Sequence, residues 1–177
     1  MSESQADFGG ELVFSTPWFQ VVAHQPPSGD QPFYAIRSSD FAVIVALDTQ
    51  GRLLLVRQFR PVVGCFTLEL PAGHVESGET PEEAARKELC EETGHEAGHL
   101  ELLANLSPSS ARFTNRMWIY YAPNVQPAAQ PAYPRETGVE CVFHQGGVRT
   151  LLTQPELFTA GTWAALLAAV ARDKIKL

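Results

Sequence analysis

The sequence predicts an α/β chain in which a mixed β-sheet carries one early helix and one or two late ones. Three observations point there. Phe41 to Leu47 is a β-branched, apolar run, and a turn at Asp48-Thr49-Gln50-Gly51 leads into a second strand, Arg52 to Phe59. Thr80 to Gly94 carries both the start and the stop signals of a helix. Short apolar strands then recur until an Ala/Leu-rich stretch, Thr162 to Lys174, closes the chain.

In chain order, residues 11–24 hold two short apolar patches around Thr16-Pro17, read as peripheral strands. The turn cluster from Gln25 to Asp30 separates them from a strand at about 32–37. The pair Phe41–Leu47 and Arg52–Phe59 reads as a hairpin buried on both faces, and Phe66 to Leu70 as a further strand. The helix over 81–92 has Thr80 as its cap, Pro81 at the first helical position, Glu83 completing a capping box and Gly94 past the end. Strands follow at about 99–106, 117–122 and 139–144, with Pro123 to Pro134 as a proline-rich surface loop. Arg172, Lys174 and Lys176 end the last helix with the charge its dipole favours.

At 177 residues the chain fits one domain, or one with a short appendage. With 45% hydrophobic and 19% charged residues it is a soluble, globular composition, and a net charge of -7 disfavours nucleic acid and anionic membranes as partners. Cys65, Cys90 and Cys141 are far apart and form no CxxC pair, which favours reduced thiols. The first ten residues lack the basic and apolar regions of a secretory signal, and the longest apolar run, Ala164 to Ala171, is too short to span a membrane. A cytoplasmic location is expected.

The acidic surplus has an address. From Glu76 to Glu92 there are seven acids against two bases, Arg86 and Lys87. Glu88, Glu91 and Glu92 stand at i, i+3 and i+4, so their carboxylates share one helix face and repel one another. Such a triplet is either a solvated face or the ligand set of a hard cation, Mg²⁺ or Mn²⁺, which pairs carboxylates with substrate phosphate oxygens.

The segment Gly73 to Gly94, GHVESGETPEEAARKELCEETG, resembles the Nudix box: Gly73, Glu79, Glu88, Leu89, Glu91, Glu92 and Gly94 fall on its pattern. Lys87 stands where the family has Arg, and His95 at the final aliphatic position. An ammonium lacks the guanidinium fork that orients the glutamates, and Arg86 is turned by about 100° around the helix. A working but slower site is expected, with His95 affecting packing only. Before the box, Val56-Arg57-Gln58-Phe59-Arg60-Pro61 and Leu68-Glu69-Leu70-Pro71-Ala72-Gly73 are similar to the branch that hydrolyses ADP-ribose and other nucleoside diphosphate sugars. The stretch Ser107 to Arg116 looks like that branch's later loop, with Ala111 at a usual glycine.

The resemblance implies a Nudix α/β/α sandwich with a mixed β-sheet over 41–177, and N-terminal strands over 1–40 that take part in a homodimer. It implies metal-dependent hydrolysis of a diphosphate bond, giving a nucleoside monophosphate and a sugar phosphate, with Mg²⁺, or Mn²⁺, as cofactor. Alternatives are a non-hydrolytic Nudix binding or regulatory module, and a Nudix hydrolase acting on dinucleoside polyphosphates or capped RNA. Carried over residue by residue, the Ala72 carbonyl, Glu88 and Glu92 map to metal ligands, Glu91 to a ligand or water-orienting group, and Glu79 to a supporting position. Arg60 maps to a diphosphate contact or a surface ion pair, and Glu69 to a sugar contact or a salt bridge. A late glutamate serves as base or further ligand: Glu140, which abuts a strand, is preferred over Glu136. Trp18 maps to a base-stacking aromatic, or to a core or dimer-contact tryptophan, and specificity is expected around Trp18, Arg112 to Arg116 and the Pro123–Pro134 loop.

Overall fold

The computed structural model describes residues 10–177. In order, its elements are β1 (Glu11–Ser15), β2 (Gln20–His24), β3 (Phe33–Arg37), β4 (Phe41–Asp48), β5 (Leu53–Arg60), β6 (Cys65–Glu69), β7 (Ala72–His74), α1 (Pro81–Thr93), β8 (His95–Glu96), β9 (Glu101–Leu106), β10 (Met117–Pro127), β11 (Val139–His144), α2 (Val148–Leu151) and α3 (Ala160–Ala171). They fall into two compact units. One takes the residues up to Ser39 together with Ser107–Arg116, the other Asp40–Leu106 with Met117–Leu177.

The smaller unit is an antiparallel sheet, β1-β2-β3. Residues 107–116 attach to its β3 edge: Ile36 N–H donates to the Arg112 carbonyl at 2.6 Å, and Thr114 N–H to the Ile36 carbonyl at 3.0 Å. Every residue of β1 is exposed, Leu12, Val13 and Phe14 included.

The larger unit is an α/β/α sandwich on a mixed sheet of order β11-β5-β4-β10-β8, with β6 on β5, β7 on β4 and β9 on β10. β4 and β10 run parallel, and the other pairs are antiparallel. The two-residue period of β4 builds both cores. Ala42, Ile44 and Ala46 pack with Ala84, Ala85 and Leu89 of α1, whereas Val43 and Val45 pack with Leu151, Ala165, Leu166 and Ala169 of α2 and α3. Among the described residues no helix is long and apolar enough to cross a membrane.

Several sequence expectations change here. The hairpin of β4 and β5 is paired in register at Leu47 and Leu53, beside the turn that the Asp48 carboxylate closes by accepting the N–H groups of Gln50 and Arg52. Further along, β5 pairs with β6, and β4 takes up β7, too short a strand to show in the sequence. The surface loop expected from Pro123 begins only after Pro127. Asn124, at φ 53, marks a bulge beyond which β10 continues and pairs Gln126 and Pro127 with β8. α3 ends at Ala171 with no basic residue in its last turn, so the terminal charges do not serve its dipole; Lys174 instead bonds Glu101 at 2.7 Å.

Candidate active site

The separation of β5 from β4 lets Ala72 to His74 lie along β4, in register with Val43, Ala42 and Phe41. Ile44 N–H donates to the Pro71 carbonyl at 2.9 Å, which fixes the chain on entry. α1 follows, closed at its start by the predicted capping box: Thr80 Oγ1 accepts from Glu83 N–H at 3.2 Å and Glu83 Oε2 from Thr80 N–H at 2.8 Å. Its apolar stripe, Ala84, Ala85 and Leu89, is fully buried against the sheet. That docking turns Glu88 and Glu92 inward towards β7.

Glu92 is 3% exposed, and its Oε2 accepts the Ala72 N–H at 2.8 Å. A Cβ on Gly73 would fall on the Glu88 carboxylate, so only glycine admits it. Burial raises both acids. Glu88 is pushed up to about 7, with Lys87 opposing the rise and Glu91 and Glu136 adding to it. Glu92 is pushed up to about 8, with the Ala72 N–H opposing and the charges of Glu88 and Glu136 adding. Glu91 is also raised, first by burial. Among the described residues no three His, Cys, Asp or Glu side chains are drawn together closely enough to cage an ion.

Lys87, at the position of the expected Arg, places Nζ 2.9 Å from Glu76, 3.4 Å from Glu79 and 4.0 Å from Glu88. One ammonium thus links the loop before α1 to its acidic face without a fork. Burial works against its charge, but the Glu76 hydrogen bond and the fields of Glu79 and Glu88 outweigh it and raise its pKa. Arg86 turns away to Glu82 and the Ala97 carbonyl. His95 is buried and packs edge-on against Phe143 with centroids 5.6 Å apart.

Arg60 and Glu69, across the β5–β6 pair, form a two-bond ion pair, Nε to Oε1 at 3.2 Å and Nη2 to Oε2 at 2.7 Å. Chiefly through that bond the guanidinium pKa is raised, and the charges of Glu92 and Glu136 also reach it. Arg60 therefore belongs to the field of the carboxylate cluster, with its fork oriented by Glu69.

The two late glutamates separate clearly. Glu140, on β11, is 68% exposed and stands 4.0 Å from Arg57, which is itself bidentate to Glu156. The charge of Glu136 acts on Glu88, Glu91 and Glu92. Glu136 N–H donates to the Glu91 carbonyl at 2.8 Å. Glu140, expected from its place next to a strand, stands opposite Arg57 in the β11–β5 register.

Trp18, 78% exposed, and Arg112 belong to the smaller unit, where Trp18 lines a 270 Å³ hollow with Thr16, Phe19 and Arg37. Three residues not singled out by the sequence stand near the expected ones. Glu76 holds Lys87; Gln58, between Arg57 and Phe59, buries an Nε2 without a hydrogen-bond partner; Arg135 bonds the Glu92 carbonyl at 2.9 Å. A basic residue missing from the last turn of α1 was the one available signal for Arg135.

A family model described as NUDIX domain matches residues 37–156. The chain is 58% identical over 43 residues to the ADP-sugar pyrophosphatase of Mus musculus, covering 24% of this chain and 20% of that protein. It is 27% identical over 125 residues to the ADP compounds hydrolase NudE of Escherichia coli strain K12, covering 71% of this chain and 67% of the other. The chain spans only a fifth to about half the length of the first curated relatives it matches. A crystal structure of an ADP compounds hydrolase superposes with a TM-score of 0.76 over 95% of both chains at 23% identity, a likeness of fold.

Proposed function

The chain belongs to the Nudix family, and on that footing we propose that it hydrolyses the diphosphate bond of a nucleoside diphosphate sugar such as ADP-ribose, releasing a nucleoside monophosphate and a sugar phosphate. The observation that carries this reading is the carboxylate face that α1 turns towards β7, with Glu92 buried on the Ala72 N–H, Glu88 against Gly73 and Glu91 half-buried beside them. Acids gathered on one face, offering oxygen atoms as ligands, fit a hard divalent cation such as Mg²⁺ or Mn²⁺. Glu88, Glu91, Glu92 and the Ala72 carbonyl would hold it, and when bound it neutralises diphosphate charge and acidifies a water.

The chain's own groups supply the rest. Arg60, its fork aligned by Glu69, offers a cation to a diphosphate oxygen, and Glu69 stands at the sugar side. A carboxylate oxygen of Glu136, rather than Glu140, takes the proton of the attacking water, supported by the reach of its charge to all three acids. Trp18 stacks on the base and Arg112 contacts substrate. The exposed apolar side chains of β1, with Phe33 and Tyr34 of β3, support a homodimer built through residues 1–40, leaving 41–177 as the catalytic domain. A cytoplasmic location completes the reading.

The test is a panel of ADP-ribose, ADP-glucose, UDP-glucose, GDP-mannose and diadenosine polyphosphates with Mg²⁺, scored for phosphate products. Nucleoside monophosphate from the diphosphate sugars is expected. Glu92→Gln keeps the shape and removes the charge; its kcat should fall beyond the ~10–100-fold that loss of a supporting contact at a metal site costs. Wild-type kcat in that variant overturns the site.

A further inference from the structure

We propose that Arg135 is a positioning residue: lodged over Gly94, it clamps the segment 128–138 onto the C-terminal end of α1 and thereby holds Glu136 beside the carboxylate cluster. The inference rests on Glu136 being the base proposed above.

The last carbonyls of a helix have no partner within it and carry the negative end of its dipole. α1 has no basic residue in its last turn to meet them. Locally, Gly94 N–H meets the Cys90 carbonyl at 2.8 Å, Thr93 Oγ1 bonds the Leu89 carbonyl, and the His95 ring Nδ1 meets the Thr93 carbonyl at 2.9 Å. The carbonyls of Glu91 and Glu92 are met from the segment more than thirty positions on. Glu91 receives Glu136 N–H at 2.8 Å, Glu92 receives Arg135 Nη2 at 2.9 Å, and Gly94 receives Ala128 N–H at 3.0 Å.

Gly94 serves this arrangement twice. Its φ of 71° is the left-handed cap that ends the helix. A Cβ there would also stand 2.6 Å from Arg135 Nη1, so the absent side chain is the room the guanidinium occupies.

Glu136 is exposed, on the segment between β10 and β11, so its place is set by what holds the backbone around it. Arg135, next to it in sequence, brings a cation to the same helix end, and the two bonds to successive carbonyls fix the backbone between them. Sub-ångström placement of a base is where such a device acts on rate.

The test compares Arg135→Ala, Glu136→Gln and the double variant of the full chain in ADP-ribose hydrolysis with Mg²⁺, and follows Glu136 amide hydrogen exchange in metal-free protein. Glu136→Gln should lower kcat by ~10²-fold or more. Arg135→Ala should lower kcat by ~10-fold with KM within about 2-fold, and the double variant should be no worse than Glu136→Gln. The Glu136 amide should exchange faster in Arg135→Ala while that of Ile44 in the core is unchanged. If Arg135→Ala does not fold, Arg135→Lys, which keeps the charge and loses the fork, should show the same pattern at smaller size. Wild-type kcat and exchange on removing Arg135, beside a crippled Glu136→Gln, overturns the clamp and leaves the base standing. Additive losses in the double variant also overturn it. A Glu136→Gln enzyme with wild-type kcat overturns base and clamp together.

Discussion

At its N-terminal end α1 is closed by its own neighbours in sequence, with Thr80 and Glu83 exchanging hydrogen bonds around Pro81. At its C-terminal end it is closed by Gly94 and by a segment reaching back from beyond β10 through Arg135 and Glu136. The first end is solvated and carries a carboxylate in the place the dipole favours; the second is buried and carries carboxylates against the dipole. One end secures the helix. The other spends stability on a concentration of negative charge that a cation and a diphosphate can use.

The two ends should therefore answer pH with opposite signs, and this is the largest effect expected. Glu88 and Glu92 are raised to about 7 and about 8, so the folded state holds their protons after the unfolded chain has released them near 4.5. Their contribution is intact below about pH 4.5 and is lost as pH rises through 7 and 8. Each tenfold change in proton affinity is worth ~1.4 kcal/mol, so two acids raised this far outweigh the other pH effects. Glu83 is lowered by its bonds to Thr80, so its contribution is present above its unfolded pKa and lost in acid. The Tm of the metal-free protein should fall between pH 5 and 8 and recover on adding Mg²⁺ at pH 8, with Glu92→Gln flattening the slope. A metal-free Tm that is level over that range breaks the comparison.

Next in size is Gly94→Ala. A side chain in the left-handed region costs ~1–2 kcal/mol, and here it also meets Arg135. Both Tm and kcat should drop. Loss of Tm with kcat unchanged would mean the C-terminal end is only a structural closure like the other.

What was legible follows the same division. The capping box, the apolar stripe of α1 and the two faces of β4 are local or periodic, and all stand where the sequence places them. The Nudix spacing located the acids because it lies within 22 residues. Contacts that depend on chain return were not legible. Nothing near Arg135 marks it as a helix cap, and that Glu136 N–H reaches the Glu91 carbonyl while Glu140 lies beside Arg57 depends on how the chain returns. β7 and β8 are three and two residues long and exist only because β4 and β10 offer them an edge. The bulge at Asn124 carried β10 into a stretch whose prolines read as loop.

Thr80→Ala is the smallest change and the sharpest control. It removes the side chain that accepts Glu83 N–H at 3.2 Å and that bonds the Glu83 carboxylate at 2.7 Å, while the apolar face of α1 stays packed. Loss of such a cap costs ~1 kcal/mol. With the Thr80 hydroxyl gone, Glu83 loses one of the two bonds that lower it and keeps the one from the backbone N–H of residue 80, so part of the acid-side sensitivity should vanish from a Tm profile below pH 5. The alkaline slope belongs to Glu88 and Glu92 and should remain. Because Ala84, Ala85 and Leu89 anchor the helix, the carboxylates at its far end should keep their places and kcat should match wild type. A kcat that falls in step with Tm in Thr80→Ala would mean that fraying at the first turn reaches the acids, and that α1 answers as one rigid rod rather than as two ends with separate tasks.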